Sequence, residues 1–184
     1  MQYWQWIPNG LSLIRMLLVI PFAWALASGH YREALLLFVI AAVTDGLDGF
    51  LARCCGWKSR LGAILDPLAD KLLMVTAFLV LALTGVVPLW LFLLVLGRDL
   101  LIVGGGLLFH RFIGRFEVEP SAFGKLNTLV QILAALAVML NQAGLALPER
   151  TNEVAVWAVA VMALVSGGQY VSVWGVRAWR GRAS

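Results

Sequence analysis

The chain has 184 residues, 61% of them hydrophobic and only 13% charged, with a mean hydropathy of +0.89; a soluble domain is nearer half apolar and a quarter charged. That composition excludes a soluble globular fold and a disordered chain. The apolar residues come in long unbroken runs and not in the period-two alternation of lipid-facing strands, which disfavours a β-barrel as well. Spanning segments must then be helices, since only a helix satisfies its own backbone in hydrocarbon. At roughly 20 residues per crossing the length accommodates about six, with no separate soluble domain. The expected fold is an all-α integral membrane protein of six transmembrane helices, a single catalytic domain over residues 1–184. Net charge is +4 and the sequence pI about 9.5. The basic residues sit mostly in loops, so topology and anionic headgroups account for them, and no nucleic-acid partner is expected.

In chain order, residues 1–10 form an interfacial segment in which Tyr3, Trp4 and Trp6 anchor the chain at the headgroup level. No basic residue precedes the first apolar run and no small-residue cleavage site follows it, so a removable signal peptide is not expected. Spans are predicted near 11–28, 32–52, 61–84, 87–109, 121–146 and 153–176. Gly29, Gly85, Pro88, Pro120 and Pro148 punctuate the connections. With six spans the termini and the second and fourth loops share one side, and basic residues can be sorted accordingly. Arg53, Lys58, Arg60, Arg111, Arg115, Arg177, Arg180 and Arg182 fall together, against Arg32 and Arg150 opposite. The excess assigns the first side, with both termini, to the cytoplasm. Cys54 and Cys55 are adjacent, with neither metal-ligand spacing nor a workable disulfide geometry.

An ionisable residue at the centre of a membrane helix costs about 2.5–3.5 kcal/mol on insertion scales, so such residues are functional candidates. This chain has many. Asp45, Asp48, Asp66, Asp70, Lys71, Arg98 and Asp99 lie within apolar runs or at their cytoplasmic ends, with Arg15 in the first run and Lys125 opening the fifth. Asp45 and Asp48 are three apart, Asp66 and Asp70 four apart, so each pair projects from one face of its helix. Four converging carboxylates repel unless protonated or neutralised by cations. Oxygen-only ligands without a His or Cys cluster suit Mg²⁺, Mn²⁺ or Ca²⁺ over zinc. The physical inference is a two-metal carboxylate site. The bland alternative, structural ion pairs with Lys71, Arg53, Arg98 and Arg15, explains a single aspartate but not four at matched spacings. Gly49, Ala52 and Gly62 put small residues on the same faces, where a bulky ligand could approach the backbone.

From Asp45 to Asp70 the residues read DGLDGFLARCCGWKSRLGAILDPLAD, or D-x-x-D-G-x-x-A-R-x8-G-x3-D-x3-D, with eight fixed positions in 26. This resembles, at every fixed position, the signature of the CDP-alcohol phosphatidyltransferase family. IPNGLSLIR, LDPLADK, GRDLL and FGKLNTLVQ extend the likeness across most of the chain. The resemblance implies a six-helix membrane enzyme, a homodimer, that transfers a phosphatidyl group from CDP-diacylglycerol to an alcohol and releases CMP. It implies two divalent ions, Mg²⁺ or Mn²⁺, held by Asp45, Asp48, Asp66 and Asp70. Asp70 is also placed by it to take the acceptor hydroxyl proton. Gly49, Ala52, Arg53 and Gly62 match the positions that accommodate the CDP portion. By analogy Arg15, Arg98 and Lys125 line an acceptor or lipid-phosphate pocket, although each could instead neutralise an aspartate or snorkel to the surface.

The flanking segments look most like the glycerol branch of the family, whose acceptors are glycerol 3-phosphate or phosphatidylglycerol. Asp99 stands where glycerol 3-phosphate users more often carry Glu, and Asn127 where they carry a second Lys. Glycerol 3-phosphate is a small dianion that wants convergent cations, whereas phosphatidylglycerol bears one charge and brings its own apolar tails. Phosphatidylglycerol is therefore the expected acceptor and glycerol 3-phosphate the alternative. An ion-coupled carrier using the aspartates as a pathway is the competing class, but the duplicated halves and interrupted helices common in carriers are not evident.

Overall fold

A computed structural model of the chain describes residues 6–55, 62–112, 122–145 and 147–180, with side chains described for 10, 12–44, 67–105, 122–145 and 147–172. The described residues form six helices and no strand: α1 Trp6–Ala27, α2 Tyr31–Cys55, α3 Gly62–Leu83, α4 Leu89–Phe112, α5 Ala122–Gln142 and α6 Thr151–Arg180. The shortest has 21 residues, about 32 Å at the helical rise, enough to match a hydrocarbon core. α5 and residues Thr151–Ser172 of α6 each combine that length with a mean hydropathy of 1.7.

Most helix ends fall close to the sequence expectation, and two of the larger departures have local causes. α1 begins at Trp6, five residues earlier than the apolar run suggests. Pro8 does not prevent this. In the first helical turn its missing N–H is one that would have no intrahelical partner anyway. α5 ends at Gln142 and not near 146, because Gly144 takes a φ of +83°. Its N–H donates to Asn141 O at 3.2 Å and the Leu145 N–H to Leu140 O at 3.2 Å. This pair of bonds closes the last carbonyls of a helix around a left-handed residue. The same closure ends α1 at Gly29 and α3 at Gly85, with φ of +76° and +75°.

The chain forms two compact units. In the first, α1 packs along both α2 and α3, which touch each other much less. Phe22 and Phe38 are fully buried there with ring centroids 5.8 Å apart. Ala25, Ala34, Ala41, Ala69 and Ala77 line the same interior, and such small side chains let helix backbones approach closely. The last turn of α5 belongs to this unit, where Arg32 Nε donates to Ala143 O at 3.2 Å and ties the α5 terminus to the start of α2. In the second unit α4 packs against α6, with Leu91, Val95, Val159 and Ala163 buried and the Trp90 and Trp157 rings 5.9 Å apart. An apolar groove of about 470 Å³ runs between α5 and α6, from Val130 to Ala158.

The interior is mostly apolar, but so is much of the outer surface, and a few polar side chains are buried. Leu13, Ile20, Leu36, Val43, Leu93, Leu129, Val161 and Leu164 are exposed, whereas Ser12, Arg15, Asp99, Asn127, Gln131 and Ser166 are buried. An apolar outer face with the few polar groups turned inward is the pattern expected of helices surrounded by lipid.

Candidate active site

The acidic residues sit on two helices that meet at one connection. Asp45 and Asp48 lie in the second half of α2, Asp66 and Asp70 in the first three turns of α3, and residues 56–61 join the two. Each pair is helical, so the spacings of three and four place its members on one face. Gly49, Ala52 and Arg53 follow on α2, and Gly62 opens α3. The side chains of Asp45, Asp48, Gly49, Ala52, Arg53, Gly62 and Asp66 lie outside the described residues, so their mutual geometry is not assigned.

Asp70 is described, and it has a specific partner. Arg15 Nη1 donates to Asp70 Oδ1 at 2.8 Å, joining the middle of α1 to the third turn of α3. The Arg15 side chain is 0% exposed while that of Asp70 is 49% exposed. The asymmetry has a chemical meaning. A wholly covered guanidinium requires a carboxylate close by, because an unpaired buried charge is strongly destabilising. The half-open carboxylate, by contrast, can still meet a ligand. Ser12, one turn before Arg15, is also buried on this side of α1.

The other intramembrane cations are disposed differently. Arg98 lies in the second unit, where Nη1 donates to Asp99 Oδ1 at 2.9 Å and Nη2 to Ser166 Oγ at 2.5 Å. Its guanidinium carbon also lies 6.0 Å from the centre of the Tyr170 ring. Both members of the Arg98–Asp99 pair are nearly covered, at 9% and 6% exposure, which makes it an internal neutralised pair held across α4 and α6. Lys125 is exposed at the start of α5. Arg15 is thus brought together with Asp70, and Arg98 with its own neighbouring carboxylate.

Two buried amides lie on α5: Asn127, whose neutrality the sequence reading already used, and Gln131, which it did not single out. Asn127 and Gln131 on α5 are 0% and 3% exposed. Neither amide atom of Asn127, nor Nε2 of Gln131, has a hydrogen-bond partner among the described residues. A buried polar group left unsatisfied costs about 1–3 kcal/mol. The available signal was the spacing of four within FGKLNTLVQ, which puts two neutral polar groups on one face of an apolar helix.

Comparison with known proteins shows the family. Residues 5–166 match the CDP-alcohol phosphatidyltransferase family, and the chain belongs to that family. It is 41% identical over 138 residues to the CDP-diacylglycerol–glycerol-3-phosphate 3-phosphatidyltransferase of Aquifex aeolicus, covering 72% of this chain and 74% of the relative. It is 30% identical over 184 residues to the Bacillus subtilis protein of the same name, covering 90% and 93%. A Mycobacterium tuberculosis protein assigned by name as a cardiolipin synthase is 37% identical over 138 residues, 74% of this chain. The chain spans just under two thirds of that relative, 65% of its length.

Proposed function

We propose that this chain is a multi-pass membrane enzyme of phospholipid synthesis that transfers the phosphatidyl group of CDP-diacylglycerol to phosphatidylglycerol, forming cardiolipin and CMP. The observation that carries the reading is the half-exposed Asp70 carboxylate held by buried Arg15, on the helix that completes the family's eight-position motif. In this reading all six helices cross the bilayer as one catalytic domain, the termini and the α2–α3 connection face the cytoplasm, and the working form is a homodimer.

The donor set of Asp45, Asp48, Asp66 and Asp70 is carboxylate oxygen alone, the chemistry that hard divalent cations take, so the residues fit two Mg²⁺ or Mn²⁺ ions. Such ions, when bound, would neutralise the diphosphate and stabilise the charge that develops on departing CMP. Gly49, Ala52 and Gly62 leave room for the nucleotide beside the backbone, and Arg53 is a cation for its phosphates. A hydroxyl oxygen of the acceptor attacks the phosphorus bonded to the diacylglycerol. The new O–P bond forms as the P–O bond to CMP breaks, CMP leaves with the electron pair, and the hydroxyl proton passes to Asp70. Arg15 holds one Asp70 oxygen at 2.8 Å, which orients the carboxylate for that proton transfer.

The neutral, buried Asn127 supports phosphatidylglycerol over a dianionic acceptor. Glycerol 3-phosphate is the second reading, supported by the Aquifex and Bacillus relatives whose names specify it. The test is purified protein in mixed micelles with Mg²⁺ or Mn²⁺, CDP-diacylglycerol and each acceptor in turn. Cardiolipin formed with stoichiometric CMP is the expected result. Product from glycerol 3-phosphate alone would reverse the two acceptors, and absence of CMP release with every metal and acceptor would favour an ion-coupled carrier.

A further inference from the structure

Two apolar grooves meet on one row of α6. The first, about 470 Å³, lies between α5 and α6, and the second, about 570 Å³, runs along the neighbouring face of α6. Arg150, Val154 and Ala158 line both, and their spacing of four stacks them along one face. Thr151 and Ala155 flank that row in the first groove, Glu153 and Trp157 in the second. All of these residues belong to the second unit. Val154 is 64% exposed, so the row is a ridge with a furrow on each side. Among the described residues, α5 and Thr151–Ser172 of α6 are long and apolar enough to cross a bilayer, which sets the ridge against hydrocarbon. Two adjoining furrows on a lipid-facing surface match the two chains of a phospholipid.

The head of the ridge defines the headgroup. Arg150 stands just before α6, its C=O accepting the Val154 N–H at 2.9 Å, and it lines both furrows, whereas Glu153 lines the second alone. Both side chains are exposed, and neither makes an ion pair or a side-chain hydrogen bond among the described residues. Glu149, the remaining charge nearby in sequence, lines neither furrow. One guanidinium and one carboxylate at the same end complement a dipolar headgroup: the planar fork takes a phosphodiester, and the carboxylate accepts from an ammonium. An anionic headgroup without an ammonium would leave Glu153 facing like charge. Trp157, one turn further on, is 58% exposed with its ring 5.9 Å from that of Trp90, the kind of side chain that collects at the headgroup boundary.

We propose that the Val154 ridge seats one phospholipid with a primary ammonium headgroup, a phosphatidylethanolamine. Its chains fill the two furrows, its phosphate meets Arg150 and its ammonium meets Glu153. The site rests on the six-span reading, in which the α5–α6 connection faces the leaflet opposite the α2–α3 motif. Its occupant is therefore neither donor nor acceptor in the reaction but a lipid that ties α5 to α6.

Native mass spectrometry of the delipidated full chain in detergent tests this, with separate titrations of phosphatidylethanolamine, phosphatidylcholine and phosphatidylglycerol carrying identical chains. One lipid per chain is expected to bind tightly. Phosphatidylethanolamine should bind at least about fivefold more tightly than phosphatidylcholine, which has the same phosphate but no N–H to donate. It should also exceed phosphatidylglycerol. Glu153→Gln should erase the preference for ethanolamine over choline, and Arg150→Gln should weaken all three lipids by about fivefold or more. Phosphatidylethanolamine should raise the melting temperature of the wild type but not of the double variant, because a ligand of the folded state stabilises it. Equal affinities for the three lipids in the wild type, or affinities untouched by either substitution, would overturn the proposal and leave only annular lipid. Tightest binding of phosphatidylglycerol would overturn the dipolar pairing. A dimer that takes up no lipid at any concentration would overturn it too, by assigning the furrows to a second copy of the chain. Failure of the wider reading is distinguishable. Protein that stays dissolved without detergent would sink the membrane assignment and the lipid site together. Absence of CMP release refutes the transferase alone, with the lipid affinities still deciding the site.

Discussion

At the scale of single residues, the Arg15–Asp70 pair joins stability to chemistry. One partner is covered and the other half open, so Arg15 is held by the fold while Asp70 stays open to its surroundings, where the proposed function puts the substrate. Removing the guanidinium should therefore affect catalysis more than folding. Arg15→Met is expected to lower kcat about 10–100-fold, the usual cost of losing a group that orients a catalytic or metal-binding side chain. A smaller loss is expected in Arg15→Lys, which keeps the charge but not the planar fork. Stopped assays of CMP release at saturating substrates measure both. Asp66→Asn should be more severe, with CMP release reduced on the order of 100-fold or more and the helical circular dichroism unchanged, because an amide has one acceptor oxygen and no charge to offer a divalent cation.

Among the helices, the endings carry the clearest local physics. α1, α3 and α5 each close on a left-handed glycine, and an L-residue in that conformation costs roughly 1–2 kcal/mol. A Cβ at Gly144 meets nothing within 4 Å, so Gly144→Ala isolates the backbone strain from any steric clash. The variant is expected to lose about 1–2 kcal/mol in reversible unfolding, read as a shifted denaturant midpoint in detergent. The apolar run alone overshoots this end by four residues, because hydropathy continues through Leu145 while the backbone has already turned. The start of α1 departs in the opposite sense, since the apolar run begins near residue 11 whereas a helix can begin earlier with Pro8 in its first turn.

For the molecule as a whole, the reading makes two further predictions. Chelation with EDTA should abolish CMP release, and Mg²⁺ or Mn²⁺ should restore it while Zn²⁺ restores little, since the proposed ligands are oxygens alone. The six-span arrangement predicts opposite accessibility of its loops. In the Cys54→Ser, Cys55→Ser background, a cysteine replacing Ser28 should react with a membrane-impermeant maleimide in right-side-out vesicles, and one replacing Ser184 only after permeabilisation. The reverse pattern would invert the topology, and labelling of both from one side would contradict an even number of spans.

Much of this protein was legible in one dimension. The α-helical class, the near-positions of the helices, the four-aspartate motif and the family all follow from local information, because hydrophobic run length and residue spacing along a helix are properties of the chain itself. Partnership was not legible. Arg15 and Asp70 are 55 positions apart, Arg98 and Ser166 are 68 apart, and sequence spacing offers no rule for which buried cation meets which acceptor. The exposure of Asp70 and the complete burial of Asn127 likewise arise only when helices from distant parts of the chain close around them. Packing decides which polar groups are satisfied and which are left without a hydrogen-bond partner.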